Sequence, residues 1–235
     1  MKGKVANMGA FVRGFQCCAL ALTALVTARP ALAQPPDAPA AAPTYTFGGF
    51  VDAAYLFAPN DPANQLFRSR GTAGHLNDPF VNMAGAYIRK PASETSRWGG
   101  ELMLQTGKDD EVFGFSATAP NMDGSDVLRH LGLANVLYLA PAGKGLTIQG
   151  GIFGSLIGCD SLWTKDNLSY TRPWGADFTP YLMLGVNASY PITDKLTGTF
   201  YLVNGYWHLA HANRVPSPGV QFIYKATPEV TFKNS

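Results

Sequence analysis

Residues 181–206 read YLMLGVNASYPITDKLTGTFYLVNGY. Two segments of strand-like composition flank the polar turn PITDKL, in which Pro191, Thr193 and Asp194 act as breakers. In the first arm Leu184, Val186, Ala188 and Tyr190 fall on one face of a strand, and Asn187 and Ser189 on the other. Period-two alternation sets one face against something apolar and the other against water. Each arm is roughly ten residues, the length a tilted strand needs to cross a bilayer. Tyrosines near the ends of both arms suit a membrane interface, where an aromatic ring can keep its polar tip wet. The stretch is read as a transmembrane β-hairpin.

Working outward to the amino end, Lys2, Lys4 and Arg13 form a basic lead to the apolar run FQCCALALTALVTA, Phe15 to Ala28. That run is too short to span a bilayer as a helix, and Ala31-Leu32-Ala33 has the small residues of a cleavage site. Residues 1–33 are therefore expected to be a signal peptide. Cys17 and Cys18 lie inside the apolar run and not after it, which argues against a lipid anchor. Residues 34–43, rich in Pro and Ala, make a tether with no means of packing a core. Without the signal, 14 of the 18 Lys and Arg remain against 16 acids, a net charge of −2, so the basic balance of the precursor offers no case for nucleic-acid binding. Cys159 would be the remaining cysteine, and a lone thiol cannot staple the fold internally. No later stretch approaches eighteen apolar residues in a row, so no helical span is expected.

The mature chain reads as a series of short strands. The first runs from Thr44 to Ala58, with Tyr45, Phe47, Val51, Ala53, Tyr55 and Phe57 on one face and Thr46, Asp52 and Ala54 on the other. After a loop from Pro59 to Pro79 come Phe80–Lys90 and Trp98–Gly107, joined by the turn Pro91–Arg97. In the latter Trp98, Leu102 and Leu104 alternate with Glu101 and Gln105. A second loop, Lys108–Asp126, carries Asp109, Asp110 and Glu111, which read as a solvated acidic cluster. Strands Val127–Ala140 and Leu146–Phe153 follow, the second with Leu146, Ile148 and Ile152 opposite Thr147 and Gln149. The longest connection, Gly154–Pro180, precedes the hairpin quoted above. Beyond it lie a loop from Trp207 to Pro218, a strand Gly219–Lys225 and a ninth strand from Val230 to Lys233. The connections run long, short, long, short throughout. Outer-membrane barrels show that asymmetry, with long loops outside and short periplasmic turns. A soluble β-sandwich has no reason to alternate its loop lengths. The expected fold is all-β, an antiparallel up-and-down transmembrane β-barrel over residues 44–235.

The chain also resembles a known family, the β-barrel porin-2 or OmpL-like porins of Gram-negative bacteria. The matching stretches are LYLAPAGKGLTIQGGIF (Leu137–Phe153), Asn167, Tyr170 and Arg172 within KDNLSYTRP, and NASYPITDKLTGTFYLVNGY (Asn187–Tyr206). YKATPEVTF (Tyr224–Phe232) is similar to the next hairpin of the family and GFVDAAY (Gly49–Tyr55) to its first strand. The resemblance implies a general diffusion porin. After Ile157-Gly158 this chain has Cys159 and Asp160 where the family usually has an aromatic residue and then Glu. Because the family's barrels are longer and single-chain barrels have even strand counts, eight to nine strands point to an incomplete barrel, an amino-terminal portion of a larger one. The terminal aromatic strand that similar proteins offer to the outer-membrane assembly machinery is expected to lie further on.

Asp52, Glu101, Gln105, Arg129 and Asn187 are the polar residues expected to line the pore, since charge in mid-strand is costly in lipid and cheap in a wet lumen. They would bias ion passage through the field of the lumen, or simply be solvated there. The connection Gly154–Pro180 holds Asp160, Lys165, Asp166, Arg172 and Asp177 among Trp163, Tyr170 and Trp174, a mixture suited either to a constriction folded into the lumen or to an outer loop on the rim. Enzyme and metal chemistry find little support. His208 and His211 stand in a loop without further ligands, and Ser125, Asp126 and His130 lack a nucleophile elbow. GGIFGSLIG follows a strand but opens no helix, so no dinucleotide or other cofactor is implied. The expected partners are outer-membrane lipid, the assembly machinery, small hydrophilic solutes and further copies of the chain. The functional reading is passive diffusion through a water-filled barrel; the alternatives are a structural or adhesive outer-membrane protein and a secreted soluble β-domain.

Overall fold

The computed structural model describes residues 19–21, 44–67, 70–72, 74–115, 121–206, 208–209 and 215–235. The expected signal peptide and tether lie outside the described residues, apart from 19–21. The strands are β1 (Ala19–Ala21), β2 (Thr46–Leu56), β3 (Phe80–Lys90), β4 (Trp98–Thr106), β5 (Leu131–Ala140), β6 (Leu146–Gly154), β7 (Leu182–Pro191), β8 (Leu196–Val203), β9 (Ser217–Lys225) and β10 (Thr231–Asn234). They form one antiparallel sheet in strict sequence order, and the first and last strands do not pair with each other. The up-and-down topology is therefore present and the sheet is not closed. From Thr46 onward nine strands are present, as the sequence predicts. Three-residue β1 pairs along one end of β2.

Alternation divides the sheet into two unlike faces. Outward side chains are large, apolar and exposed on strand after strand: Phe47 and Val51 on β2, Leu102 and Leu104 on β4, Val186 on β7, Phe200 on β8, Val220 and Phe222 on β9. Phe47 is 80% exposed and Trp98 61%, values that water would not favour over so wide a surface. Buried side chains of the sheet include the polar Asp52, Gln105, Asn135, Asn187, Thr199 and Gln221 beside the apolar Met83, Met103 and Leu133. In a porin-type sheet the outward band meets hydrocarbon and the inward face meets the lumen. Short turns gather at one end of the sheet. There Trp98 packs on its cross-strand partner Tyr138 at 4.7 Å, and the Tyr190 hydroxyl accepts a bond from the Lys144 amide at 3.3 Å. This places an aromatic row at that rim, as an interface requires.

Several local expectations are corrected. The strand expected from Val127 begins at Leu131, because Gly124 takes a left-handed φ of 77° and starts a short helix, α2 (Ser125–Leu128). The loop after β4 opens instead with helix α1 (Lys108–Phe113), and Asp109 and Asp110 are buried on it rather than solvated. Tyr181 is not an interface residue; it is buried edge-on against Phe113 at 4.9 Å. Ile152 is buried too, where alternation alone would expose it with Ile148. Ile152 belongs to the buried apolar cluster with Leu133 and Leu182, and its neighbour Gly151 has a φ of 120°. A Cβ there would also strike the Ala134 carbonyl oxygen.

The core sits on the inner face. Met83, Met103 and Leu133 of the sheet pack with Phe113 of α1 and with Leu162, Trp163, Ala176 and Tyr181 from the connection between β6 and β7. Each buried large apolar side chain contributes about 2 kcal/mol. The long connection is thus fastened against the sheet by ordinary hydrophobic packing.

Candidate functional site: the occupied inner face

Asp52 marks the centre of the site. Its pairing with Met83 is followed by a register shift in which Ala53 opposes Val81, so Asn82 is the extra residue of a bulge. A bulge re-aims one side chain, and Asn82 is fully buried together with Met83. The Asn82 amide nitrogen donates to Asp52 at 3.0 Å and to Asp109 of α1 at 2.9 Å. Thr164 and Tyr170 donate their hydroxyls to the same Asp52 at 2.9 and 3.1 Å. Burial first, and then the charge of Asp52, pushes the Tyr170 hydroxyl far above its ordinary value, so it stays a donor.

Arg172 ties the connection to itself. With φ at 56° and its side chain sealed from solvent, it donates to the Ser161 carbonyl at 2.9 Å, to the Leu162 carbonyl and to Thr164 Oγ1 at 3.3 Å. Its guanidinium lies 3.6 Å from Asp109 Oδ2 and 5.7 Å from the centre of the Tyr181 ring. Asp177 joins this segment to the loop after β2 by accepting from the Gly71 amide at 2.9 Å, Thr72 Oγ1 at 3.0 Å and the Tyr181 hydroxyl at 2.9 Å. Arg70 returns the tie with bonds to the Thr171 and Arg172 carbonyls at 2.7 and 3.0 Å.

A second cluster adjoins the first. Gly107, at φ 142°, turns the chain inward from β4 so that α1 lies under the sheet; any Cβ there would strike the Asn82 carbonyl oxygen. Gln105 accepts from Trp163 Nε1 at 3.0 Å, and its amide nitrogen stands 3.5 Å from Asp110 Oδ1. Burial pushes the Asp110 carboxyl up to about 6, against the opposing pull of the Gln105 bond and of His130 and Arg129. His130 Nδ1 lies 3.4 Å from Asp110 Oδ2 and 3.0 Å from the Gln105 carbonyl oxygen.

The remaining predicted residues fall in different places. Glu101 is inward and ion-paired with its cross-strand partner Arg89, which lies 4.4 Å from the centre of the Tyr87 ring. Asn187 heads an amide ladder, donating to Gln149 at 2.9 Å, which donates to Asn135 at 3.0 Å, which donates to the Ile152 carbonyl at 2.9 Å. Arg129 is not on a strand; it follows α2 and faces Glu111 at 3.6 Å. Lys165 and Asp166 pair with each other at 2.6 Å on the exposed side of the connection, and Asp160 stands beside the Cys159 thiol at 3.7 Å. Arg172 is therefore an internal tie, whereas Lys165 reaches back over the Phe50 ring at 5.5 Å from its centre and Asp166 is exposed. Sequence reading missed Asn82 and Asp110 as parts of the site, and it named Asp177 only as one charge of the long connection. Only Gly107, two residues before Asp109, hinted at the turn that carries the Asp109-Asp110 pair inward. Among the described residues no group of three His, Cys, Asp or Glu could hold a metal ion, and His211 lies outside them.

An up-and-down antiparallel sheet with an apolar exterior and a loop-filled interior that carries polar groups is the architecture of an outer-membrane-type porin barrel, here not closed. Residues 44–235 match the family described as "Putative beta-barrel porin-2, OmpL-like", and the chain belongs to that family. Comparison with curated proteins and with solved structures gives no match.

Proposed function

We propose that this protein is a non-enzymatic outer-membrane channel for passive diffusion of small hydrophilic solutes. One observation carries the reading: on the strands from β2 to β9, apolar side chains point out and are exposed while Asp52, Gln105, Asn135, Asn187, Thr199 and Gln221 point in. Two solvents explain that division, hydrocarbon outside and water within. In this reading Asp52, Glu101, Gln105 and Asn187 set the polarity of the lumen. The segment bearing Asp160, Lys165, Asp166 and Arg172 narrows it, and passage depends on size and charge at that constriction. Export through a cleaved signal, insertion by the outer-membrane assembly machinery and association of copies in the lipid belong to the same proposal.

Planar lipid bilayers test it. Protein made from the full-length gene is expected to give discrete conductance steps that scale with salt concentration; a membrane that stays silent at every protein dose overturns the channel. A silent membrane with the protein inserted would favour the structural or adhesive alternative, for which the packing of Leu162, Trp163 and Ala176 against the sheet speaks.

A further inference from the structure

Charge around Asp52 does not balance. Its carboxyl is 5% exposed on the inner face, and its three hydrogen-bond donors are neutral: the Asn82 amide and the Thr164 and Tyr170 hydroxyls. Among the described residues Asp52 makes no ion pair, and the cations of the neighbouring connections are engaged elsewhere. Arg172 faces Asp109, Lys165 faces Asp166, and Lys108 and Arg129 both face Glu111. Arg70 is bonded to the Thr171 and Arg172 carbonyls, next to the Gly71 amide that reaches Asp177. Lys233 donates to the Gly158 carbonyl at 2.7 Å, but it stands on β10, at the far end of the sheet from β2.

The imbalance continues at one end of the sheet. Strict up-and-down order brings the four long connections, residues 57–79, 107–130, 155–181 and 204–216, to the same end. Together they hold 10 Asp and Glu against 7 Lys and Arg. The short turns at the other end, residues 91–97, 141–145, 192–195 and 226–230, hold 3 of each sign. We propose that the lumen favours cationic over anionic solutes, with Asp52 as the fixed charge that sets this sign beside the inserted segment. The acidic end formed by the long connections gathers cations ahead of it. This preference rests on the channel reading above and gives that reading its class of solute. Carboxylates along a pore favour cations, and a cleft of one sign raises the local concentration of its counter-ions. At Asp52 the surrounding protein weakens screening, so one unpaired charge acts further than it would in water. No bond forms or breaks; the ions pass and are not held.

Reversal potentials in planar bilayers test the preference. Protein made from the full-length gene is placed in a KCl gradient around 0.1 M, where the Debye length is about 10 Å and the fixed charges are still felt. Potassium is expected to pass several-fold more readily than chloride. Asp52→Asn should move the reversal potential toward zero, and Asp123→Lys combined with Asp126→Lys should do the same. Asp123 and Asp126 are exposed on the connection between β4 and β5, so this second variant reads the acidic end even if Asp52→Asn fails to insert. A parent that reverses at zero or on the chloride side overturns the preference, and a reversal potential that neither variant moves overturns its assignment to these carboxylates. Conductance steps without selectivity leave the channel standing and sink the preference alone. A membrane without steps sinks the channel and the preference together, so the two failures are distinct.

Discussion

Arg172 Nη1 stands 3.6 Å from Asp109 Oδ2, with both side chains closed off from solvent. The pair joins the connection between β6 and β7 to α1, through two residues more than sixty positions apart in the chain. A buried ion pair of this kind adds modest stability in itself, but removing one member strands the other.

Arg172→Met should therefore cost about 3–5 kcal/mol, the usual penalty for an orphaned buried charge. Asp109→Asn alone should cost less, because Asn82 can still bond to it. Thermal unfolding in detergent, followed by heat-modifiable migration on gels, reads both. Equal stability in parent and Arg172→Met would remove the pair from any account of how the segment is held.

Gly151→Ala should destabilise by about 1–3 kcal/mol or more, since φ of 120° is strained for an L side chain. The new methyl also meets the Ala134 carbonyl oxygen. Gly154→Ala on the same strand, where an added methyl meets nothing within 4 Å, should be near neutral. Urea midpoints of the two variants make the comparison.

Val186→Arg places a charge on the outward face, and Gln149→Arg places one on the inward face of the adjacent strand. In lipid vesicles the first should lose about 2–4 kcal/mol of folding free energy and the second much less. Similar losses at the two positions would contradict a hydrocarbon exterior.

Asp110 predicts a pH dependence of stability. Its carboxyl sits at about 6 in the fold against an ordinary 3.8, so the folded state binds the proton more tightly than the unfolded state. The stabilisation is complete below pH 3.8 and is lost as pH rises through 6. Unfolding midpoints measured at pH 5 and pH 7.5 should differ in favour of pH 5 for this group, and Asp110→Asn should shrink the difference. A dependence unchanged in the variant would assign it to other groups.

Strand alternation was legible because lipid and water impose a period of two on every strand, whatever its neighbours. Val220, Phe222 and Tyr224 declare their shared outward face without any knowledge of the fold. The boundaries of β3 could be read directly from Phe80 to Lys90, since Pro79 and Pro91 bracket it. Local rules gave out where the backbone left the extended region. Gly124 and Gly107 divert the chain into α2 and α1, and no periodicity marks helices of four and six residues.

The family, the outward apolar band and the alternation of long and short connections were determined by the sequence alone, for each depends on residues close together in the chain. The burial of Asp109 and Asp110, the bulge that aims Asn82 and the choice of Arg172 as an internal tie were decided only by tertiary structure. Asp52, Asn82, Asp109 and Arg172 come from four separate segments. A buried charge is tolerable only when such distant partners arrive together, and nothing local to any one of them announces that they will.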